Sequence, residues 1–334
     1  MATVLGELGY EVDVASRRDR TFRVSRAYDL LVSERLEWEP ANWDRLGCAV
    51  RVFLATSMNH VTHNRNLRRR YRALAERRQC AIEPRRIYKE RVPAAVESDA
   101  ITGVGSGFTM GTWAEVFQGP IHAFDTHGLP MPEPEGKDFA GARRSFLFFA
   151  GGRQVQKGLD LLLELFPRFP DLNLYVCSAF REEPDFCRVY RRELFKTPNV
   201  HPVEWVSVGS AEFARLTRIC GFVIHPSCSD GQAGSVVQTM HAGLVPLVTR
   251  ETGLDTDGFG ITFPDDSLGE IARVVRDASE RPAEWLRGSS ARSRGVAMAR
   301  HTEATFADRW REIVTEVVSR GREGRGVRGL GARS

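Results

Sequence analysis

Residues 221–243, GFVIHPSCSDGQAGSVVQTMHAG, run an apolar strand into an acidic, glycine-rich turn and then into a helix of small residues. That order constrains the chain to an α/β layer fold, because strand, turn and returning helix are the repeating unit of a parallel sheet. Pro226 and Ser227 end the strand, and the glycines of Asp230-Gly231-Gln232-Ala233-Gly234-Ser235 let a ligand approach the backbone. Ser235 is placed to cap a helix opening at Val236, where exposed amides and the helix dipole favour an anion. The same phrase also serves as ordinary α/β punctuation, so a second segment is needed to decide between the two.

FLFFAGGRQVQKGLDLLLELF, Phe146 to Phe166, supplies it: an apolar strand, a loop with Gly151, Gly152, Arg153 and Lys157, then a leucine-rich helix. Two cations at the carboxyl end of a parallel strand suit a diphosphate. The loop is not a P-loop, because the glycine spacing differs and Leu159 stands where Ser or Thr would hold a metal.

In this order the two segments resemble the donor-binding half of GT-B glycosyltransferases of the family 4 type, over about residues 145–265. The resemblance implies two Rossmann-like, doubly wound parallel-sheet domains facing a cleft. It also implies a sugar transferred from a nucleotide-diphosphate donor to a glycan or lipid-linked acceptor, with retention and without a metal or other cofactor. Arg153 and Lys157 match the Arg and Lys that hold the donor diphosphate. The family's two glutamates, eight residues apart, fall on Asp230 and Gln238, which keep hydrogen-bonding capacity with a shorter reach and a lost charge respectively. Gly151, Gly152, Gln232, Gly234 and Ser235 complete the expected donor site. The family's active-site histidine falls on His60, with His63 as the alternative; position alone fits a surface histidine equally well.

Three other readings remain open. A metal-dependent transferase of the other common fold would need a carboxylate pair such as Asp255-Thr256-Asp257, which sits too late in the chain. A nucleotide-sugar epimerase would use the donor without an acceptor. A degenerate GT-B module would bind nucleotide or sugar without turnover, in keeping with the changes at Asp230 and Gln238.

The 334 residues divide into an N-terminal Rossmann-like domain (1–127), a proline-rich linker (128–144) and a donor-binding domain (145–302). A terminal helix (303–319), with Trp310, Ile313 and Val317 on one stripe, is expected to pack back on the N-domain, and a disordered basic tail (320–334) to follow. MATVLGELGYEVDVAS reads as a helix end followed by a strand at 10–14. The N-domain would then lack its usual first strand and glycine-rich loop, or the true start would lie upstream of Met1.

A composition of 42% hydrophobic and 27% charged residues with a net charge of +4 fits a soluble globular protein and gives no sign of a nucleic-acid binder. No long apolar run or export signal is visible. The six scattered cysteines, with no Cys-x-x-Cys pair, suit a reducing cytoplasm. Charge is nonetheless uneven: Arg65 to Arg91 holds eleven Arg or Lys against three Glu. Leu67, Tyr71 and Leu74 predict an amphipathic helix over 66–78. Its cationic face is either solvated or available to an anionic membrane or a phosphate-bearing acceptor.

Overall fold

The structure is a computed structural model and describes every residue except 17–18, 20–25, 35–49, 91, 134 and 332–334. Cys48 and Arg91 therefore lie outside the described residues, and the five described cysteines are all free thiols.

Two parallel sheets form the frame. The first contains β1 (Leu30–Ser33), β2 (Val50–Ala55), β3 (Ala100–Val104) and β4 (Ile121–Phe124) in sequential order. The second contains β5 (Ser145–Phe149), β6 (Asn173–Cys177), β7 (Val200–Pro202), β8 (Phe222–His225), β9 (Val245–Val248) and β10 (Ile261–Thr262). Its order is β10-β9-β8-β5-β6-β7, and every pairing is parallel. The winding reverses between β5 and β8. In an open α/β sheet that reversal opens a crevice beyond the strands' carboxyl ends, and both sequence phrases read above end in it.

β5 and β8 are buried along their whole length, as expected for strands covered on both faces. Phe146, Phe148, Phe222 and Ile224 point into one core cluster, and Leu147 and Val223 into the other. Among the described residues no helix is long and apolar enough to cross a membrane.

Three elements differ from the sequence reading. Residues 10–14 form no strand, because among the described residues no ladder lies beside them; Asp13 instead accepts hydrogen bonds from Tyr28 at 2.7 Å and Arg26 at 2.8 Å. The terminal helix runs from Glu303 to Gly331, past the end expected at Ser319. Past that point Gly321 lies on Val50 with no room for a side chain, a Cβ there meeting Val50 Cγ2 at 2.5 Å. Upstream, Trp310, Ile313 and Val317 pack with Val50, Val52 and Phe124 of the first sheet.

The third difference concerns the basic helix, His60–Arg78, which is capped by the Asn59 side chain accepting from Thr62 N at 2.8 Å. Leu67, Tyr71 and Leu74 are buried as their spacing predicts, but in the core of the second half of the chain. The cations follow them across. Arg70 is 2% exposed and lies against Asp266 (2.8 Å), Asp160 (3.6 Å) and the Pro226 carbonyl (3.0 Å). Arg69 forks onto Asp266, Arg77 bonds Asp160 and Glu164, Arg78 pairs with Glu193, and Arg85 pairs with Glu183 and Asp185. The basic run is thus divided: Arg65, Arg68, Arg72, Arg86 and Lys89 stay exposed, while others are drawn into ion pairs. Its five arginines at 69, 70, 77, 78 and 85 bind the two halves together.

Removing one member of a buried pair leaves the other charge without compensation, at about 3–5 kcal/mol. Asp266→Asn is expected to lower unfolding free energy by on the order of 3 kcal/mol in urea titrations, against well under 1 kcal/mol for exposed Asp277→Asn. Burial alone would raise the Asp266 pKa, but Arg69 and Arg70 outweigh it and hold the carboxyl at about 2. The fold therefore gains stability from this group above about pH 4 and loses it as pH falls towards 2.

Candidate functional site

The β5 loop is built on its neighbour across the switch point. Gly158 has φ +86°, and a Cβ there would lie 2.4 Å from the Pro226 carbonyl, so only glycine lets the two loops touch. The Gln156 carbonyl accepts from Cys228 N at 2.9 Å, and its side-chain amide donates to the Ser229 carbonyl at 2.7 Å. These bonds set the register of one loop on the other and bring Lys157 Nζ onto Asp230 Oδ1 as a close ion pair. Both side chains are about one-tenth exposed.

Arg153 precedes the short helix Gln154–Lys157 in a left-handed conformation, φ +68°. A non-glycine residue held there costs roughly 1–2 kcal/mol and is retained where the surroundings fix it. The fixing group is Glu183, 3% exposed, whose carboxylate accepts from the backbone amides of Arg153 and Gln154. Among the described residues the Arg153 guanidinium has no carboxylate or hydrogen-bond partner of its own. Burial and the nearby Arg86 charge together lower its pKa.

The electrostatics centre on Asp230. Burial alone would raise its pKa, but Lys157 and His225 outweigh burial and hold the carboxyl well below the usual range. Burial lowers the Lys157 pKa, Asp230 pulls it back up, and Arg153 and Arg86 push it down again. His225 is fully buried and stacked on Phe148, with Nε2 3.5 Å from Asp230 Oδ2; burial keeps it neutral.

His60 and His63 both lie on the first turn of the basic helix and divide between two places. The His60 ring stacks on Tyr88 at 4.2 Å, with Nδ1 3.0 Å from the Lys89 carbonyl. It lines a cavity of about 520 Å³ with Trp113, Val61, Val96 and Glu90. His63 reaches the strand end beside Asp230. Its Nε2 lies 3.0 Å from the Arg86 carbonyl and its Nδ1 2.7 Å from Ser229 Oγ. A carbonyl only accepts, so Nε2 carries the proton and Ser229 donates to Nδ1.

Two expected donor residues bond groups of the chain itself. The Gln238 amide accepts from Leu129 N at 2.8 Å and donates to Leu129 O at 3.0 Å. Gln232 accepts from Thr126 N and donates to Asp125, both at 2.7 Å. Ser235 does not cap the following helix, Gly234–His241, whose N-cap is Ala233 with no side-chain bond. The Gly234 and Ser235 amides consequently have no acceptor among the described residues. Gly151 and Gly152 flank the Arg153 turn, where a Cβ on Gly152 would lie 3.5 Å from Glu183. Among the described residues no group of three His, Cys, Asp or Glu is spaced to hold a metal ion.

No family model and no curated protein matches this sequence. Solved structures do. HepE from Anabaena, in complex with UDP-glucose, superposes with a TM-score of 0.62 at 13% identity, over 86% of this chain and 79% of that one. Sucrose-phosphate synthase from Thermosynechococcus elongatus gives 0.63 at 13% identity, over 87% and 74%. WaaG, a glycosyltransferase involved in lipopolysaccharide biosynthesis, gives 0.53 at 16% identity, over 79% and 74%. The chain spans about half the length of TarM, covering 50% of it at a TM-score of 0.57. The chain has the GT-B fold.

Within that GT-B frame, Arg153, Lys157 and Asp230 meet at the switch point. Sequence reasoning missed Glu183 and Arg86, and it missed Trp205, whose indole is 66% exposed beyond β7. Arg86 was hidden inside the basic run. For Glu183 the only signal was an acidic residue one strand over from the Arg153 turn.

Burial holds the His63 pKa at about 4, far below its ordinary value. As pH falls from about 6.5 to 4 the unfolded chain takes a proton that the folded chain refuses, so stability falls over that window. Between pH 7 and pH 4 the wild type is expected to lose on the order of 3 kcal/mol more than His63→Gln, read from urea midpoints.

Proposed function

We propose that the chain is a glycosyltransferase that takes its sugar from a nucleotide-diphosphate donor bound at the β5–β8 switch point. The observation that carries this reading is the partnerless Arg153 guanidinium beside the Lys157–Asp230 pair, at the mouth of two loops with uncapped amides at Gly234 and Ser235. Such a site has an excess of positive charge and donors and awaits an anion.

Breaking the anomeric C–O bond builds negative charge on the departing diphosphate, and fixed cations stabilise that charge without reorganising. Arg153 and Lys157 would hold the phosphates. Lys157 exchanges Asp230 for a phosphate oxygen, and Asp230 becomes free to accept hydrogen bonds from sugar hydroxyls. Trp205, exposed in the segment after β7, offers a stacking face to a nucleobase. In this reading transfer proceeds with retention, needs no metal, and delivers the sugar to a glycan or lipid-linked acceptor. HepE, bound to UDP-glucose, is the precedent for the donor class.

One observation favours a second reading, a nucleotide-binding module without turnover. Asp230 O accepts from Met58 N at 3.2 Å, and Gly231 lies directly on Thr56, so the cleft is narrow where a donor sugar would sit. Incubation with a panel of nucleotide sugars separates the two. A transferase shows thermal stabilisation by one donor together with nucleotide release, and Lys157→Ala lowers that release on the order of a hundredfold or more. Stabilisation without release supports the module, and no stabilisation by any donor overturns both.

A further inference from the structure

Arg86 lies in the segment that leaves the basic helix and crosses the mouth of the switch point. Two ties fix it there. Its neighbour Arg85 bonds Glu183, the same carboxylate that accepts from the Arg153 amide, so residues 85 and 153 are joined through one group. The Arg86 carbonyl accepts from His63, whose other ring nitrogen takes the Ser229 hydroxyl next to Asp230. Arg86 is thus held between the loop that bears Arg153 and the strand end that bears Asp230.

Its backbone is strained and its side chain is uncommitted. Arg86 has φ +61°, one of four non-glycine residues with positive φ among those described, and Arg153 is another. Two arginines held left-handed in segments tied to the same Glu183 carboxylate point to a geometry kept for what it places there. The guanidinium is exposed and lies 5.2 Å over the Tyr88 ring, with no carboxylate partner among the described residues. Its charge reaches the others, since it lowers the pKa values of both Arg153 and Lys157. Cations that disfavour one another's charge are stabilised together by an anion between them.

We propose that Arg86 is a third cation for the phosphate-bearing ligand, supplied by the N-terminal half, so that the diphosphate is gripped from both sides of the cleft. The inference rests on the donor reading above. Net of Asp230, Arg153 and Lys157 offer one positive charge, and Arg86 adds the second that a sugar-bearing diphosphate requires. A guanidinium seated on an aromatic face swings between ring and phosphate at little cost, because neither position buries it unpaired. Arg86 is therefore a ligand-binding residue, and it acts on the phosphates rather than on the sugar or the base.

The test is equilibrium binding of UDP, ADP and GDP, their parent nucleosides and inorganic pyrophosphate to the full chain, at several salt concentrations. Wild type, Arg86→Ala, Arg86→Lys and Lys157→Ala are compared. Arg86→Ala should weaken the preferred diphosphate and pyrophosphate about tenfold or more, leave the nucleoside unchanged, and flatten the salt dependence. Arg86→Lys should recover part of the loss, and an unchanged melting temperature for Arg86→Ala separates the effect from unfolding. If Lys157→Ala loses the diphosphate while Arg86→Ala keeps it, Arg86 is overturned and the donor reading stands. If wild type binds none of the diphosphates, or Lys157→Ala binds them as well as wild type does, the donor site and the role of Arg86 fail together.

Discussion

The buried Arg70 guanidinium is the interaction on which the rest of the molecule depends. It leaves a helix that follows the second strand of the first sheet and ends between Asp160, Asp266 and the Pro226 carbonyl of the other half. Desolvating that charge costs several kcal/mol, which the carboxylates offset only in close geometry. The geometry is close because Leu67, Tyr71 and Leu74 enter the same core on the neighbouring face. Hydrophobic burial brings the helix across, and the ion pairs fix its rotation and register. The same register places the switch-point neighbours: the first turn of this helix carries His63 to Ser229, and the segment beyond it carries Arg85 to Glu183.

The linker side repeats the arrangement with neutral groups. Gln232 and Gln238 bond the backbone at Thr126 and Leu129, and His301 accepts from Gly128 and bonds Thr126. Backbone contacts join the sheets between these two supports, with Ser106 N donating to Gly253 O at 3.0 Å and Met58 N to Asp230 O. The switch-point charges are therefore positioned from three directions before any ligand arrives. Preorganisation of that kind is what electrostatic stabilisation of a leaving group needs, because fixed donors do no reorganising work during reaction.

The sequence carried the local phrases and little of what joins them. Strand, loop and helix around β5 and β8 were legible because buried strands are continuously apolar and the glycines mark the turns, and Arg153, Lys157 and Asp230 followed as a set. The partners of the basic helix were illegible. Arg70 and Asp266 are 196 residues apart, and no periodicity relates them. Gln238 is a related case: an amide that can hydrogen-bond a ribose can equally bond Leu129, and only the path of the chain brings Leu129 to it. Ser235 looked like a cap for a helix opening at Val236, yet the helix opens two residues earlier, at Gly234. Residues 10–14 alternate like a strand, but alternation describes a face and does not supply a neighbour.

The Lys157–Asp230 pair explains how so buried a cation remains a cation. Burial alone favours neutral lysine, and Arg153 and Arg86 push in the same direction. Asp230 is the opposing influence, and its own carboxyl is held ionised by Lys157 with His225 beside it. Asp230 therefore matters in the unliganded chain, because it favours the charged ammonium. This casts the proposed donor site differently. A side chain one methylene shorter than glutamate reaches less far, but Asp230 sits close enough to Lys157 to favour its charged form.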